Sequence, residues 1–181
     1  MTAGDEEALV QRSLDGDQGA FGELIGAYQH VLYNVALRMT NDPEDARDVT
    51  QTTFLKAWRR LSTFDRRHKF FSWIYRIMLN ETLNLLERRR PQEPLSEVLI
   101  SGAESPEERC HSTQVCEIVQ SALMLLPADQ RQVIVLRHFQ QLSYREMSGL
   151  LRIPEKTVKS RLYSARQCLG RTLRARGVTG S

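Results

Sequence analysis

The sequence predicts an all-α protein made of two small helical domains joined by a flexible linker. Three observations lead there. Apolar residues recur at helical spacing along nearly the whole chain, with no strand-like alternation to compete. The segment 91–112, PQEPLSEVLISGAESPEERCHS, loses that periodicity and gathers three prolines among Ser, Gly and Glu, the composition of a linker. Charge is also partitioned: the net charge is only +3 over 181 residues, yet residues 1–54 carry −7, 55–90 carry +7, 91–112 carry −4 and 113–181 carry +7. The boundaries that follow are an N-terminal tail 1–16, a first domain 17–90, the linker 91–112, a second domain 113–176 and a C-terminal tail 177–181.

In the first domain, Phe21, Leu24, Ile25, Tyr28, Leu32, Val35 and Met39 form the buried stripe of one helix. NDPEDARDV then starts another: Asp42 caps, Pro43 takes the first helical position, and Glu44 and Asp45 suit the positive helix end. This helix is predicted from Pro43 to Leu61. A third begins near Phe70 and ends at ERRRP, where Pro91 stops it. In the second domain, Val115, Ile118, Val119 and Ala122 open a helix that stops before Pro127, and Val133, Leu136 and Phe139 mark the next. LSYREMSGLL places Ser143 and Glu146 in capping-box spacing. A last helix follows RIP, with Val158, Leu162, Ala165 and Leu169 as its apolar positions.

Several function classes drop out at this level. No apolar run approaches the ~20 residues of a membrane span, and MTAGDEEALV is acidic where a signal peptide is basic and then apolar. No membrane insertion is expected, and a cytoplasmic location follows. Cys110, Cys116 and Cys168 have no CxxC spacing, so reduced thiols are expected rather than a disulfide framework. Cys110 and His111 adjoin, but nothing supplies further ligands, so no metal and no cofactor are expected. With no clustered His, Cys and Asp, no phosphate-binding glycine loop and no nucleophile motif, the chain does not read as an enzyme.

The two basic blocks point to two surfaces that face a polyanion; solvated helix faces are the plain alternative. The last helix sharpens the question. Two short helices joined by a tight turn, the second rich in Lys, Arg, Ser, Thr and Tyr, have the pattern of a helix-turn-helix reader, although similar pairs also serve as packing units. Lys156, Thr157, Lys159, Arg161 and Arg166 suit phosphate contacts and helix placement, whereas Ser160, Tyr163 and Ser164 suit base edges in a major groove. The full run LPADQRQVIVLRHFQQLSYREMSGLLRIPEKTVKSRLYSARQCL resembles region 4 of extracytoplasmic-function (ECF) sigma factors of the sigma-70 family, which binds the promoter element near −35. Ser164 stands where that family frequently carries a base-reading arginine.

The first half extends the resemblance. DPEDARDVTQTTFLKAWRRLSTFD followed by FFSWIYRIMLNETLNLLERRR is similar to region 2 of the same family. On the helix from Pro43, the residues Ala46, Val49, Thr53, Ala57 and Leu61 face one way. Asp48, Gln51, Thr52, Leu55 and Arg59 form an opposing stripe with an apolar residue among polar ones, which suits a partner as well as it suits solvent. In the family this helix docks on the clamp coiled coil of core RNA polymerase, and Asp45, Asp48, Gln51, Thr52, Leu55 and Arg59 are the candidate contacts. Next come Arg66, Arg67, His68 and Lys69, a basic loop for phosphates, and the aromatics Phe70, Phe71, Trp73 and Tyr75. Opened bases stack on aromatic faces for about 1 to 3 kcal/mol each, but Phe70 and Trp73 share a face with Ile74 and Ile77 and read better as core.

Arg76, Asn80 and Asn84 recur every fourth residue as a polar stripe. The resemblance implies that the basic loop and Asn80 hold a base flipped from the −10 element, with Phe71 standing where an exposed polar residue is common. It implies an alternative sigma factor: core polymerase and promoter DNA as partners, −10 and −35 elements as targets, and an anti-sigma factor as a possible further partner.

Overall fold

The computed structural model describes residues 2–89 and 109–176, and the chain divides into two compact units, Met1–Arg88 and Arg89–Ser181. Every regular element among the described residues is helical. Most of the linker, 91–108, and the C-terminal tail, 177–181, lie outside the described residues.

The first unit holds α1 (Ala3–Leu14), α2 (Gln18–Thr40), α3 (Pro43–Arg59) and α4 (Phe70–Arg89), with a single tight turn Leu61–Thr63 after α3. Residues 1–16 are therefore not a tail. Thr2 Oγ1 accepts from Asp5 N at 3.2 Å and the Asp5 carboxylate accepts from Thr2 N at 2.9 Å, a capping box that starts α1. Val10 and Ser13 turn inward on this helix and are buried. Asp17 caps α2 by accepting from Ala20 N, and Phe21, Leu24, Leu32, Val35 and Met39 are buried along it. Ile25 and Tyr28, assigned to the same stripe, are half-buried.

The expected start of α3 holds in detail: Asp42 Oδ1 accepts from Glu44 N at 2.8 Å and Asp45 N at 3.1 Å, with Pro43 at the first helical position. Ala46, Val49, Thr53, Ala57 and Leu61 are all buried. Lys56 on α3, which flanks that stripe, pairs with Glu81 on α4 at 2.6 Å and ties the two helices together.

In the second unit α5 (Arg109–Met124) begins four residues inside the segment assigned to the linker. It is followed by α6 (Ala128–Ile134), a widened helical turn Val135–Phe139, α7 (Tyr144–Leu151) and α8 (Glu155–Ala175). Of the apolar positions named for α5, Ala122 is buried but Val115 is 43% exposed, and Gln120 and Leu123 are buried as well. The capping box of α7 forms as the sequence requires, with Glu146 N donating to Ser143 Oγ and Ser143 N donating to Glu146 Oε2. Arg152 closes α7 in a left-handed conformation at φ 53°.

A buried arginine holds the α5–α6 corner. Arg131 donates from Nε to Leu123 O and from Nη2 to Met124 O and Leu126 O, each at 3.1 Å, which ties the last carbonyls of α5 and of the turn after it to α6. Burial pulls its guanidinium down to about 10, still cationic at neutral pH. Arg131→Met keeps most of the volume but strands these acceptors, at a cost of about 2 kcal/mol. For a domain of this size that lowers the melting midpoint by roughly 10 °C. Calorimetry should show the second unit's transition falling while the first unit's is unchanged.

Candidate nucleic-acid interface

The outer face of α3 is the first part of the site. Asp48, Gln51, Leu55 and Arg59 are exposed and Thr52 is half-buried, while the opposite face of the helix is packed. Leu55 is 59% exposed, an apolar side chain that the fold does not use. Asp45 does not belong to this stripe: it is 7% exposed, because the first turn of α3 turns it inward. Sequence reasoning missed the neighbouring groove, which holds about 610 Å³ between α2 and α3. Phe21, Ile25, Gln51, Phe54, Leu55 and Trp58 line it, with the Trp58 ring 4.9 Å from that of Phe21. The signal was available, since Gln51, Leu55 and Trp58 follow one another at i, i+4 and i+7 on α3.

The loop before α4 is the second part. Arg66, Arg67, His68 and Lys69 are all exposed, as expected of phosphate ligands. They are not all free cations. Arg67 donates to both carboxylate oxygens of Asp65 and holds that carboxyl at about 2, well below the ordinary range. Arg66 donates to Gln11 Oε1 at 2.5 Å and lies 3.3 Å from Glu7 Oε1. The aromatics behind the loop are mutually packed: Phe70 meets Phe64, Trp73 and Tyr28 at centroid distances of 5.6, 5.6 and 6.1 Å, and Phe71 lies between Tyr28 and Tyr75 at 5.5 Å from each.

Phe70 and Tyr75 are fully buried. Burial pushes the Tyr75 phenol far up, so it is a neutral core residue and offers no face to a base. Phe71 and Trp73 are half-buried. Further along α4, Asn80 and Asn84 are exposed and Arg76 is half-buried, so the polar stripe reaches solvent at its two amides.

The third part is α8. Val158, Leu162 and Ala165 are buried and fix which side faces out. Lys156, Lys159, Ser160, Tyr163, Ser164 and Arg166 are exposed, with Tyr163 at 67%, and Thr157 is half-buried. Three of these groups are already engaged. Ser160 Oγ donates to Thr157 O at 3.0 Å, Lys159 Nζ lies 5.6 Å from the Tyr144 ring centroid, and Arg166 Nε donates to His138 Nε2 at 3.4 Å. Arg161, also expected at phosphate, is half-buried and pairs with Asp129 at 3.3 Å, which packs α8 on α6. The Cys110–His111 pair lies outside the residues whose side chains are described. No helix among the described residues is long and apolar enough to cross a membrane.

The geometry thus presents a helix with an exposed apolar residue among polar ones, a basic loop leading into a helix with two exposed amides, and a helix-turn-helix whose second helix turns a basic and hydroxyl-rich side outward. A sigma-70 region 2 model matches residues 24–92 and a sigma-70 region 4 model matches residues 116–169. The RNA polymerase sigma-H factor of Pseudomonas aeruginosa is 32% identical over 185 residues, covering 96% of each chain. The ECF RNA polymerase sigma factor SigW of Bacillus subtilis is 31% identical, covering 91% of this chain and 95% of its own. Among solved structures, CnrH in complex with the cytosolic domain of CnrY aligns with a TM-score of 0.74 at 27% identity, covering 94% of this chain and 98% of that one.

The chain belongs to the sigma-70 family of RNA polymerase sigma factors. Within that family it is an ECF sigma factor, an alternative factor that directs transcription initiation and not an enzyme.

Proposed function

We propose that this sigma factor divides its work among three surfaces. Asp48, Gln51, Leu55 and Arg59, with Thr52 and the groove beside Leu55, seat the clamp coiled coil of core RNA polymerase. The loop 66–69 with Asn80 and Asn84 takes the opened −10 strand, Arg76 supporting the same stripe from beneath. Lys156, Lys159 and Arg166 hold phosphates of the −35 duplex while Ser160, Tyr163 and Ser164 meet base edges. Arg161 serves the packing of α8, and Asp45 serves the first turn of α3.

The observation that carries this reading is that one four-helix unit exposes both an unused apolar residue on α3 and, soon after it in the sequence, a basic loop leading into a helix with two exposed amides. A conventional DNA-binding regulator has no need of the first. The cytoplasm, where polymerase and DNA meet, is its place of action. CnrH was solved with the cytosolic domain of CnrY; an anti-sigma factor that covers the α3 face and its groove would hold this chain off polymerase by direct competition.

Asn80→Ala tests the −10 assignment. The side chain is exposed, so the variant folds. Loss of one base contact, about 1 to 3 kcal/mol, lowers open-complex formation about tenfold with closed-complex formation little changed. Permanganate reactivity of the promoter bubble reads the difference, and an unchanged bubble would leave Asn80 with a structural role alone.

A further inference from the structure

The N-terminal helix bears on the −10 loop in a way that region 2 residues alone do not explain. Phe70 is the first residue of α4, and its N–H is one of the donors that a helix start leaves without an internal acceptor. The preceding residue, Lys69, has no side-chain acceptor to offer. The acceptor comes from 64 residues away: Glu6 Oε1 takes the Phe70 N–H at 3.1 Å. The other Glu6 oxygen, Oε2, accepts from Tyr28 OH, and the Tyr28 ring rests on Phe70 and Phe71.

Glu7, the next residue, and Gln11, one turn further on, hold Arg66 of the same loop. Glu6, Glu7 and Val10 on one side and Phe64, Arg66 and Phe70 on the other enclose a cavity of about 210 Å³, so helix and loop touch at both ends of that space and are open between.

We propose that Glu6 is a positioning residue of the −10 reader. By capping α4 at Phe70 and clamping Tyr28 over Phe70 and Phe71, it fixes where the loop 64–69 leaves the core, and hence where Arg67, His68 and Lys69 stand relative to Asn80. It touches no DNA. The proposal rests on the −10 assignment made above. A carboxylate suits the place because the start of a 20-residue helix is an electropositive end. The amide of glutamine keeps one acceptor for the Phe70 N–H, while alanine keeps none.

The test uses holoenzyme reconstituted from full-length chain and core polymerase, with 2-aminopurine in the non-template strand of the −10 element reporting opening. Glu6→Ala should slow opening about tenfold, the scale of a lost helix cap together with loop displacement, while affinity for core and for −35 duplex stays within about twofold. Glu6→Gln should restore most of the rate. Tyr28→Phe, which keeps the ring and the cap at Phe70 but loses the hydroxyl that Glu6 holds, should slow opening about threefold, between wild type and Glu6→Ala.

If core affinity falls in step with opening, or if Glu6→Gln is as slow as Glu6→Ala, Glu6 is a fold-supporting residue or a simple charge and the proposal is wrong. Asn80→Ala, measured in parallel, separates the two readings. A slow Asn80→Ala with a normal Glu6→Ala overturns the role of Glu6 alone. Normal opening in both variants overturns the −10 assignment and this proposal together.

Discussion

Replacing Asp48, Gln51 and Leu55 together with alanine should abolish binding to core RNA polymerase and leave the rest of the protein working. All three side chains are exposed, so truncation opens no cavity in the first unit, and alanine is the best helix former, so α3 itself gains if it changes at all. The effect then falls on the interface. An apolar residue standing 59% exposed among polar neighbours has the character of an anchor that fills a partner's pocket. With two polar contacts beside it, the triple change removes about 4 kcal/mol, or roughly a thousandfold in affinity.

Circular dichroism should be unaltered. Binding of the free chain to −35 duplex, which uses α8 in the other unit, should be unaltered as well. Fluorescence anisotropy of labelled chain against core polymerase measures the loss, and wild-type affinity in the triple variant would remove α3 as the docking helix. The conservative companion Leu55→Met retains most of the apolar volume and should retain most of the affinity.

The parts of this molecule that the sequence predicted are those fixed by short-range chemistry. Asp42, Pro43 and the acidic first turn specify the start of α3 within four residues. Ser143 and Glu146 specify that of α7 in the same way. The buried stripe of α3 follows from apolar spacing, as do those at the two ends of α2, where the helix packs; between Leu24 and Leu32 no residue of α2 is buried.

What escaped depends on partners far along the chain. Thr2 and Asp5 form a cap as local as that of α7, but α1 has few apolar positions, and its burial is settled by contacts such as Glu6 with Tyr28 and Phe70. Arg131 is a charged residue in a core position, legible only once the carbonyls at the end of α5 are placed around it.

The candidate site divides along the same line. Exposure of Asp48, Gln51, Leu55 and the outer side of α8 was readable from the periodicity of the buried side. The pairing of Arg161 with Asp129 and of Arg66 with Glu7 and Gln11 was not, because each answers to a side chain on another element.

The separation of the two DNA elements should control output as strongly as their sequence does. Each site is weak by itself: the loop 66–69 and α8 each present few cations, several of them already paired within the chain, and a short helix reads few bases. Joining them raises the effective concentration of one domain once the other has bound, and polymerase, by holding both, sets the distance between them.

A shift of the −35 element by about half a helical turn, roughly five base pairs, carries the groove face to the far side of the duplex, where Lys156, Ser160 and Tyr163 cannot reach it. Twisting or bending the spacer to compensate costs several kcal/mol, so transcription should fall about a hundredfold. Adding a few Gly and Ser residues between Pro91 and Glu108, ahead of the first turn of α5, should cost far less. Lengthening a tether lowers effective concentration only slowly, roughly as the −3/2 power of its length, and the polymerase still fixes both ends. Single-round transcription over promoters that differ only in spacer length reads both effects on one scale. Equal output at every length would mean that α8 packs as an ordinary amphipathic helix and reads no promoter.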